Sequence, residues 1–456
     1  MDEIRIPAGA KVILDRLHEC GEKAYVVGGC VRDSLMGREP HDWDICTSAT
    51  PEVVKEDILS GYRIFDTGLK HGTVSVLDGA GDVYEVTTFR TESGYSDGRH
   101  PDKVVFVSDV RKDLARRDFT INAMAYNDEE GLVDPFGGKR DLAVKLIRCV
   151  GDPNERFSED ALRILRAIRF SAQFGFCIDA KTEDAMRRQM HRLDNISAER
   201  IGSEFRKIAC APDATFAICS SKPVICEIIP EMTPLICCGQ NNQYHNKDVF
   251  GHTMQALHNA NDCESFPKEW ADDGVRMALF FHDFGKPAVK TIDDKGYDHF
   301  YGHPAVSAEI TENVLRRLRY SNDFIDTVVE LVKYHDIEFA PNKRCARRML
   351  NKFSVEQLQR LLKIRECDNR AHSEAAHPLF QKSLDFYECM KAVLEEKNAF
   401  SIKDLAINGR DLIERDVEPG PEMGKLLRMA LDAVMDEQVE NRKEDLLMFI
   451  LARMDR

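Results

Sequence analysis

The chain has 456 residues, enough for two to four domains of ordinary size, and its formal net charge is −15. The electrostatic field of so acidic a protein repels nucleic acid overall, so contacts with phosphates need a local basic surface. A helix that spans a bilayer needs about 20 apolar residues, and no apolar run in the chain approaches that length. The fourteen cysteines show no CxxC spacing. We therefore expect a soluble cytoplasmic protein, not bound to membranes, with reduced thiols.

The first 140 residues alternate short β-rich runs with helical segments, and the rest of the chain has helical periodicity. A strand, AYVV, passes through two glycines into a helical start, and the later runs HDWDIC, GTVSVL and VYEVTTF are typical of strands. We predict an α/β head with a small mixed sheet, followed by an all-α neck, body and tail.

Gly28 and Gly29 lie at the turn between the first predicted strand and the next helix. Without a Cβ atom, such a turn lets backbone N–H groups approach a phosphate closely. Taken alone, a pair of glycines is more often simple turn geometry.

Two aspartates follow in HDWDIC, where alternation predicts that Asp42 and Asp44 share one face of a strand while Trp43 and Ile45 share the other. Neighbouring carboxylates repel unless a cation lies between them, and Mg²⁺ prefers such oxygen ligands. Glu85, in VYEVTTF, is a candidate third carboxylate. For an isolated pair of this kind, an exposed acidic strand end is the alternative interpretation.

Four blocks that begin with these residues resemble one family, the class II tRNA nucleotidyltransferases and bacterial poly(A) polymerases. In chain order they are GGCVRDSLMGREPHDWDICTSATPE, KDLARRDFTINAMAY, DPFGGKRDL and SEDALRILRAIRFSAQFGF. The resemblance implies addition of nucleotides to an RNA 3′ end without a nucleic-acid template, by a mechanism that uses two Mg²⁺ ions.

The resemblance also implies roles for individual residues of the head. Gly29 and Arg32 would contact the triphosphate, Asp42 and Asp44 would bind metal, Glu85 would be the third carboxylate and Arg117 would bind the nucleotide. The stretch Arg90 to Pro101 resembles the loop that the family uses when it changes from C to A addition, and it argues against CC-only addition.

In the last block, Asp160, Arg163, Arg166 and Arg169 recur every three residues, which predicts one broad face of a helix. Aspartate accepts and arginine donates hydrogen bonds, so such a pair satisfies the Watson–Crick edge of a base. A solvated helix with internal ion pairs is the alternative. The resemblance implies that Asp160 and Arg163 read C and A, with Arg166 and Arg169 near the nucleotide or its phosphates.

A second set of polar residues occurs in FGHTMQAL, ALFFHDFGKP and VKYHD, and from it we predict the metal ligands His252, His282, Asp283 and Asp336. Imidazoles and carboxylates suit Ni, Mn, Fe or Mg. The order resembles HD-domain phosphohydrolases that act on 2′,3′-cyclic or 2′-phosphates, and His303 and His335 are candidates for a substrate or second-metal site. An inherited helical scaffold with buried histidines is the alternative.

These observations predict a head over residues 1–140, a base-selecting and RNA-binding neck and body over 141–240, an HD-type domain over 241–350 and a helical tail over 351–456. The function they favour is CCA addition to tRNA from CTP and ATP. An A-adding partial enzyme and a poly(A) polymerase are the nearest alternatives, and an HD phosphohydrolase or an inactive RNA-binding module the more distant ones. We expect a monomer or a homodimer.

Overall fold

The computed structural model describes residues 4–68, 72–95, 101–241, 247–373, 377–395 and 401–454. The chain divides into two compact units, Met1–Pro230 and Glu231–Arg456. This is the one division that the structure shows, and the finer domain boundaries remain predictions. No helix among the described residues is long and apolar enough to cross a membrane.

The first unit contains a mixed sheet and two short strand pairs. Its strands are β1 Ala24–Val27, β2 Ile45–Thr47, β3 Arg63–Gly68, β4 Thr73–Leu77, β5 Val83–Thr88, β6 Arg90–Ser93, β7 Lys103–Phe106, β8 Ala125–Asn127, β9 Gly131–Val133, β10 Leu146–Ile147 and β11 Cys177–Ile178. Seven of them form one sheet in the order β3-β4-β5-β2-β1-β8-β9, while β6 pairs with β7 and β10 with β11. Within the large sheet, β2 and β5 run parallel and the other neighbours run antiparallel. The predicted mixed sheet is confirmed.

Helices cover this sheet and then continue the unit. They are α1 Ala8–Glu19, α2 Gly29–Leu35, α3 Pro51–Val53, α4 Val110–Ala115, α5 Gly138–Ala143, α6 Pro153–Glu159, α7 Leu162–Phe174, α8 Ala180–Gln189, α9 Ala198–Ala209, α10 Ala214–Ser220 and α11 Lys222–Ile228. Apolar residues of α1 at helical spacing, Ile13 and Leu17 among them, are buried with the strand residues Val26, Ile45 and Val86 in one core cluster. This core holds β1, β2 and β5 in place, and the predicted glycine turn and carboxylates lie after β1, directly before β2 and within β5.

Two local predictions for the first unit need correction. Asp42 and Asp44 directly precede β2, because the hydrogen-bonded ladder starts at Ile45. The predicted single helix over the arginine repeat is two helices, α6 and α7, with Asp160 in an extended conformation between them (φ −145°). The Asp160 carboxylate accepts a hydrogen bond from the backbone N–H of Leu162, so this residue caps a new helix and does not continue the old one.

Over its described residues, the second unit contains helices and one small hairpin, β12 Thr291–Ile292 with β13 Asp298–His299. Its helices are α12 Val249–Asp262, α13 Asp273–Phe281, α14 Lys286–Val289, α15 His303–Arg317, α16 Asn322–Tyr334, α17 Lys343–Lys352, α18 Val355–Asn369, α19 His377–Glu395, α20 Gly409–Ile413, α21 Pro421–Met435 and α22 Lys443–Met454. A separate apolar cluster near the C-terminus joins α20, α21 and α22 through residues such as Leu412, Leu431 and Ile450. We predicted no strand after residue 140, and the two-residue pairs β10–β11 and β12–β13 are small exceptions to that prediction.

Candidate functional sites

The glycine turn lies at the end of β1. Gly28 has φ +81°, a conformation that other residues rarely adopt, and its N–H donates to the Met124 carbonyl at 3.1 Å. A Cβ atom at Gly28 would lie 2.8 Å from Nη1 of Arg117. Gly29 then begins α2. The missing side chain therefore allows the predicted nucleotide-binding Arg117 to lie directly against the turn.

Arg32, one turn into α2, is held by three kinds of contact. Its Nη1 donates to Oδ1 of Asn122 at 2.7 Å, its Nε donates to Asp33 at 2.8 Å, and its guanidinium lies 4.8 Å from the ring centre of Phe174. Only 11% of the side chain is exposed. These contacts fix the orientation of Arg32, so that a phosphate would meet a preformed donor.

The three predicted head carboxylates lie on adjacent segments. The Asp44 carbonyl accepts the N–H of Val27 at 2.9 Å, which ties Asp44 to the residue before the glycine turn. The parallel register pairs Ile45 with Val86, and one residue earlier it places Asp44 beside Glu85. Burial raises the pKa of Asp44, and the negative charges of Glu85 and Asp42 raise it further against the opposing effect of Arg117. A cation at this edge would relieve the repulsion between these carboxylates.

The head carboxylates are not closely convergent. Among the residues that the structure describes, the groups of metal-ligand atoms that lie within 4.8 Å of one another belong to the second unit, and Asp42, Asp44 and Glu85 are not one of them. Asp42 is exposed, as is Glu85. The structure therefore places the three residues in one neighbourhood, without forming a closed cage.

Partners from another part of the first unit or from the preceding helix bind each of the four predicted nucleotide-binding residues of the arginine repeat, Asp160, Arg163, Arg166 and Arg169. Arg163 donates to Glu159 at 2.5 Å and to the Arg116 carbonyl at 3.2 Å. Arg166 binds Oδ2 of buried Asp118, with Nη2 at 2.6 Å. The remaining two contacts join α7 and its cap to α9: Arg169 with Glu204 at 2.8 Å, and Asp160 with Arg200 at 2.9 Å.

The backbone N–H of Arg163 donates to the Asp160 carbonyl at 3.1 Å, but the two side chains have different partners. The Arg163 guanidinium binds Glu159, whereas the Asp160 carboxylate pairs with Arg200. Sequence reasoning missed this partner, because a contact between two helices 40 residues apart leaves no local pattern. The loop predicted over Arg90 to Pro101 starts in β6, and its residues 96–100 lie outside the described part of the chain.

A buried cluster of histidines and aspartates occupies the second unit, and we call it the His–Asp cluster. Its members come from α12, the end of α13, the start of α15, the end of α16 and α18: His252, His282, Asp283, His303, His335 and Asp368. Asp283 is central, since one of its oxygens lies 3.2 Å from Nε2 of His282 and the other lies 3.4 Å from Nε2 of His303. His252 Nε2 is 2.9 Å from Asp368.

Backbone contacts orient three of these imidazoles in the same way. Nδ1 of His282, of His303 and of His335 hydrogen-bonds the carbonyl three residues earlier, at 2.8, 2.9 and 2.7 Å. A ring that donates from Nδ1 keeps its Nε2 lone pair for another partner. Nε2 of His282 and both carboxylate oxygens of Asp283 are buried without a hydrogen bond to any described residue. This donor set fits a divalent transition-metal ion.

The charges of the cluster are balanced within the second unit. Lys286 lies 2.8 Å from Asp283, and that carboxylate, overriding the effect of burial, raises the pKa of His282 to about 10. Burial lowers the pKa of His252 to about 4 and of His335 to about 3, so both are neutral at pH 7. Neutral imidazoles are the form that binds metals, so a metal ion at Nε2 of His282 would have to displace the proton that this ring holds at pH 7.

One predicted ligand lies outside the cluster, and two candidate ligands were missed, Asp368 and the half-buried His372, which is grouped with His252 and Asp368. The Asp336 side chain is 59% exposed and pairs with Arg365 at 2.9 Å. Asp368 occupies the place that we expected for a later acidic ligand, near His252 and His282. Nothing in the surrounding sequence, RECDNR, distinguishes Asp368 from an ordinary acidic residue on a helix.

Three family models match the chain. They are the "Poly A polymerase head domain" over residues 24–148, the "Probable RNA and SrmB- binding site of polymerase A" over 175–219 and the "tRNA nucleotidyltransferase domain 2 putative" over 303–450. The first match contains the glycine turn and the three head carboxylates.

Whole-chain relatives agree with these matches. The CCA-adding enzyme of Lactobacillus delbrueckii subsp. bulgaricus is 36% identical, over 97% of this chain and 96% of its own length. That of Limosilactobacillus reuteri is 34% identical, over 96% and 94%. A crystal structure of the Bacillus stearothermophilus CCA-adding enzyme in complex with CTP is 29% identical and superimposes with a TM-score of 0.69 over 98% of this chain and 97% of that one.

Identity of this extent, over nearly the full length of both chains, establishes a common family, and nucleotidyltransferases of this family work with divalent metal ions. The chain belongs to the family of CCA-adding tRNA nucleotidyltransferases.

Proposed function

We propose that this protein adds C, C and A in turn to the 3′ end of tRNA, taking CTP and ATP and releasing pyrophosphate. The proposal is supported chiefly by the position of Asp44, which neighbours Glu85 on the adjacent strand and accepts a backbone hydrogen bond from Val27, the residue before the glycine turn. The chain also aligns with CCA-adding enzymes over nearly its full length. In the Bacillus stearothermophilus relative, the bound nucleotide is CTP.

Asp42, Asp44 and Glu85 would hold Mg²⁺ at this edge of the sheet. The pKa of Asp44 is raised first by burial and then by the negative charges of Glu85 and Asp42. This supports the assignment, because a bound cation would offset both effects and Mg²⁺ prefers carboxylate oxygens. Bound Mg²⁺ would supply the acidity that activates the RNA 3′-hydroxyl and would neutralise the charge that develops on pyrophosphate.

The other contacts come from the protein itself. Backbone N–H groups at Gly28 and Gly29 and the guanidinium groups of Arg32 and Arg117 would bind the triphosphate. C and A each have an exocyclic amino group on the Watson–Crick edge, and Asp160 would accept a hydrogen bond from it. Arg163 would donate a hydrogen bond to the ring nitrogen that is an acceptor in both bases. U and G present a carbonyl where Asp160 needs a donor, which is how the same two side chains exclude them.

The test is incubation of purified protein with labelled CTP and ATP on tRNA transcripts that end before CCA, after C and after CC. We expect products that stop at CCA. The variants Asp42→Asn and Asp44→Asn each remove one ligand charge, and we expect incorporation to fall at least about 100-fold, the scale of losing one catalytic electrostatic group. Asp128→Asn, at an exposed pair with Lys11, is the matched control.

Other products would contradict the proposal in distinct ways. Addition of A only to the transcript that ends in CC would indicate a partial enzyme, and long A tails would indicate a poly(A) polymerase. Incorporation that survives both aspartate changes would place the metal site elsewhere.

A second candidate activity rests on the His–Asp cluster. His282 Nε2 and the Asp283 carboxylate are buried without a hydrogen bond to a described residue, although Asp283 forms an ion pair with Lys286. They support a metal-dependent phosphohydrolase site for 2′,3′-cyclic or 2′-phosphates, with Ni, Mn, Fe or Mg as the ion. We expect His282→Ala with Asp283→Ala to abolish hydrolysis of 2′,3′-cyclic AMP and leave CCA addition intact. His258→Ala, at an exposed histidine, is the control. Hydrolysis that persists in the double variant, or is absent from the unaltered protein with each of the four metals, would leave the cluster a structural role.

A further inference from the structure

Asp160 has two hydrogen-bond partners in the first unit, one for each carboxylate oxygen. Oδ1 accepts the backbone N–H of Leu162 at 3.0 Å and thereby caps α7, while Oδ2 accepts Nη2 of Arg200 at 2.9 Å. The side chains of Asp160 and Arg200 are 17% and 23% exposed. Two partners in different directions define the plane of the carboxylate, whereas the cap alone would leave it free to rotate.

Arg200 is an unusual residue for its place in α9. It occupies the first turn of this helix, where the backbone dipole disfavours a positive charge. Glu204, one turn later on α9, binds Arg169 of α7 in a second ion pair. Two charges on one face of α9 are therefore matched to two residues of the predicted nucleotide-binding set, Asp160 and Arg169.

A carboxylate offers about four lone-pair positions, and the helix cap and Arg200 use two of them. An acceptor position on Asp160 remains for a base amino group, and its direction depends on the plane that Arg200 sets. Selection between an amino group and a carbonyl is sensitive to this direction, because hydrogen bonds weaken steeply when the angle departs from linearity.

We propose that Arg200 is a positioning residue for base selection, which acts by holding the Asp160 carboxylate toward the Watson–Crick edge of the incoming nucleotide. This inference rests on the proposed reading of C and A by Asp160. It differs from a grip on tRNA phosphates, the other role open to an arginine here, because the guanidinium of Arg200 is already engaged by a carboxylate and largely buried.

The experiment measures kcat/KM for CTP, ATP, UTP and GTP on the transcripts described above, together with the Kd for tRNA. For Arg200→Met we expect the preference for CTP over UTP to fall roughly tenfold, which corresponds to about 1.4 kcal/mol, through a higher KM for CTP, with the tRNA Kd unchanged. Arg200→Lys restores a cation near Oδ2 and should recover part of the preference. Arg316→Met, at an exposed pair with Glu312, controls for loss of an arginine.

A double variant distinguishes the positioning role of Arg200 from the proposed reading of C and A by Asp160. If Arg200 acts through Asp160, then Arg200→Met has no further effect on selectivity in an Asp160→Ala background. Equal selectivity in Arg200→Met and the unaltered protein, or a raised tRNA Kd with selectivity retained, overturns the positioning role. Unchanged selectivity in Asp160→Ala alone would instead refute the base-reading assignment itself. Thermal unfolding of each variant shows whether it is still folded. If Arg200→Met is unfolded, the selectivity of Arg200→Lys, the smaller change, is used in its place to test the positioning role.

Discussion

A single buried carboxylate, Asp118, connects Arg32, expected to bind the triphosphate, with Arg166, expected near the nucleotide or its phosphates. Its Oδ2 binds Arg166 of α7, and its Oδ1 accepts from Asn122, whose own side-chain oxygen accepts from Arg32. A continuous chain of hydrogen bonds thus runs from α7 to α2. Burial opposes ionisation of Asp118, but the Arg166 guanidinium prevails and lowers the pKa of Asp118 to about 2.

This shift makes a prediction about stability and pH. Because the pKa of folded Asp118 lies below its ordinary 3.8, the ionised form contributes stability above about pH 4, and the contribution is lost as the pH falls through 2. The difference corresponds to about 2 kcal/mol. We expect Asp118→Asn to lower the free energy of unfolding by that amount at pH 7 and by distinctly less at pH 3, as measured by denaturant titration.

Asp66→Asn is the control for this prediction, since Asp66 pairs with Lys55 in an exposed position and should change stability by less than about 0.5 kcal/mol. A stability loss for Asp118→Asn that is the same at both pH values would contradict the role of the ionised carboxylate.

At the scale of elements, the strand–turn–helix unit β1–α2 depends on the conformation of Gly28. Its positive φ is one obstacle to a side chain, and the 2.8 Å that would separate an added Cβ atom from Nη1 of Arg117 is another. A side chain at position 28 would therefore strain the backbone and would also displace Arg117.

Gly28→Ala and Gly37→Ala separate these effects. Gly37 also has a positive φ, at +70°, but no atom of the described residues lies within 4 Å of its added Cβ. We expect both variants to lose about 1–3 kcal/mol of stability from backbone strain, and only Gly28→Ala to raise the KM for both CTP and ATP, by about tenfold. Equal KM values in the two variants would show that Arg117 does not depend on this close approach.

The mixed sheet and the helical remainder were predictable because strand and helix periods are local properties of the sequence. The glycine turn and the Asp44 neighbourhood were predictable for the same reason, aided by four ordered motifs. The break at Asp160 was not, since a spacing of three residues fits an unbroken helix as well as two helices joined at a capping aspartate. Long-range partners, Arg200 for Asp160 and Asp368 for His252, depend on how helices pack, and no local pattern encodes that packing.

At the scale of the whole molecule, the two candidate chemistries are divided between the two units. The head carboxylates, the glycine turn and the base-reading residues all belong to residues 1–230, and the His–Asp cluster belongs to residues 231–456. Each unit also has an apolar cluster of its own. Such an arrangement is expected of parts that fold independently.

A fragment of residues 1–230 should therefore unfold cooperatively and bind CTP and ATP with Kd values within about threefold of those of the full chain, since the proposed contacts are complete within it. The fragment 231–456 should bind neither nucleotide. Circular dichroism melts and calorimetric titrations test both statements, with Asp160→Ala in the first fragment as a binding control. A first fragment that is unfolded, or folded but unable to bind, would show that the nucleotide site needs the second unit.

The hydrogen bond from Val27 to the Asp44 carbonyl has a consequence for engineering. It joins the strand that ends in the glycine turn to the segment that carries Asp42 and Asp44, so a backbone contact helps to fix the distance between the proposed phosphate and metal positions. The residues that would read the base, Asp160 just before α7 and Arg163 within it, lie in another part of the first unit, as does Arg200 of α9, which would position Asp160. A designer who wants a different terminal nucleotide has reason to randomise positions 160, 163 and 200 while leaving residues 24–47 untouched.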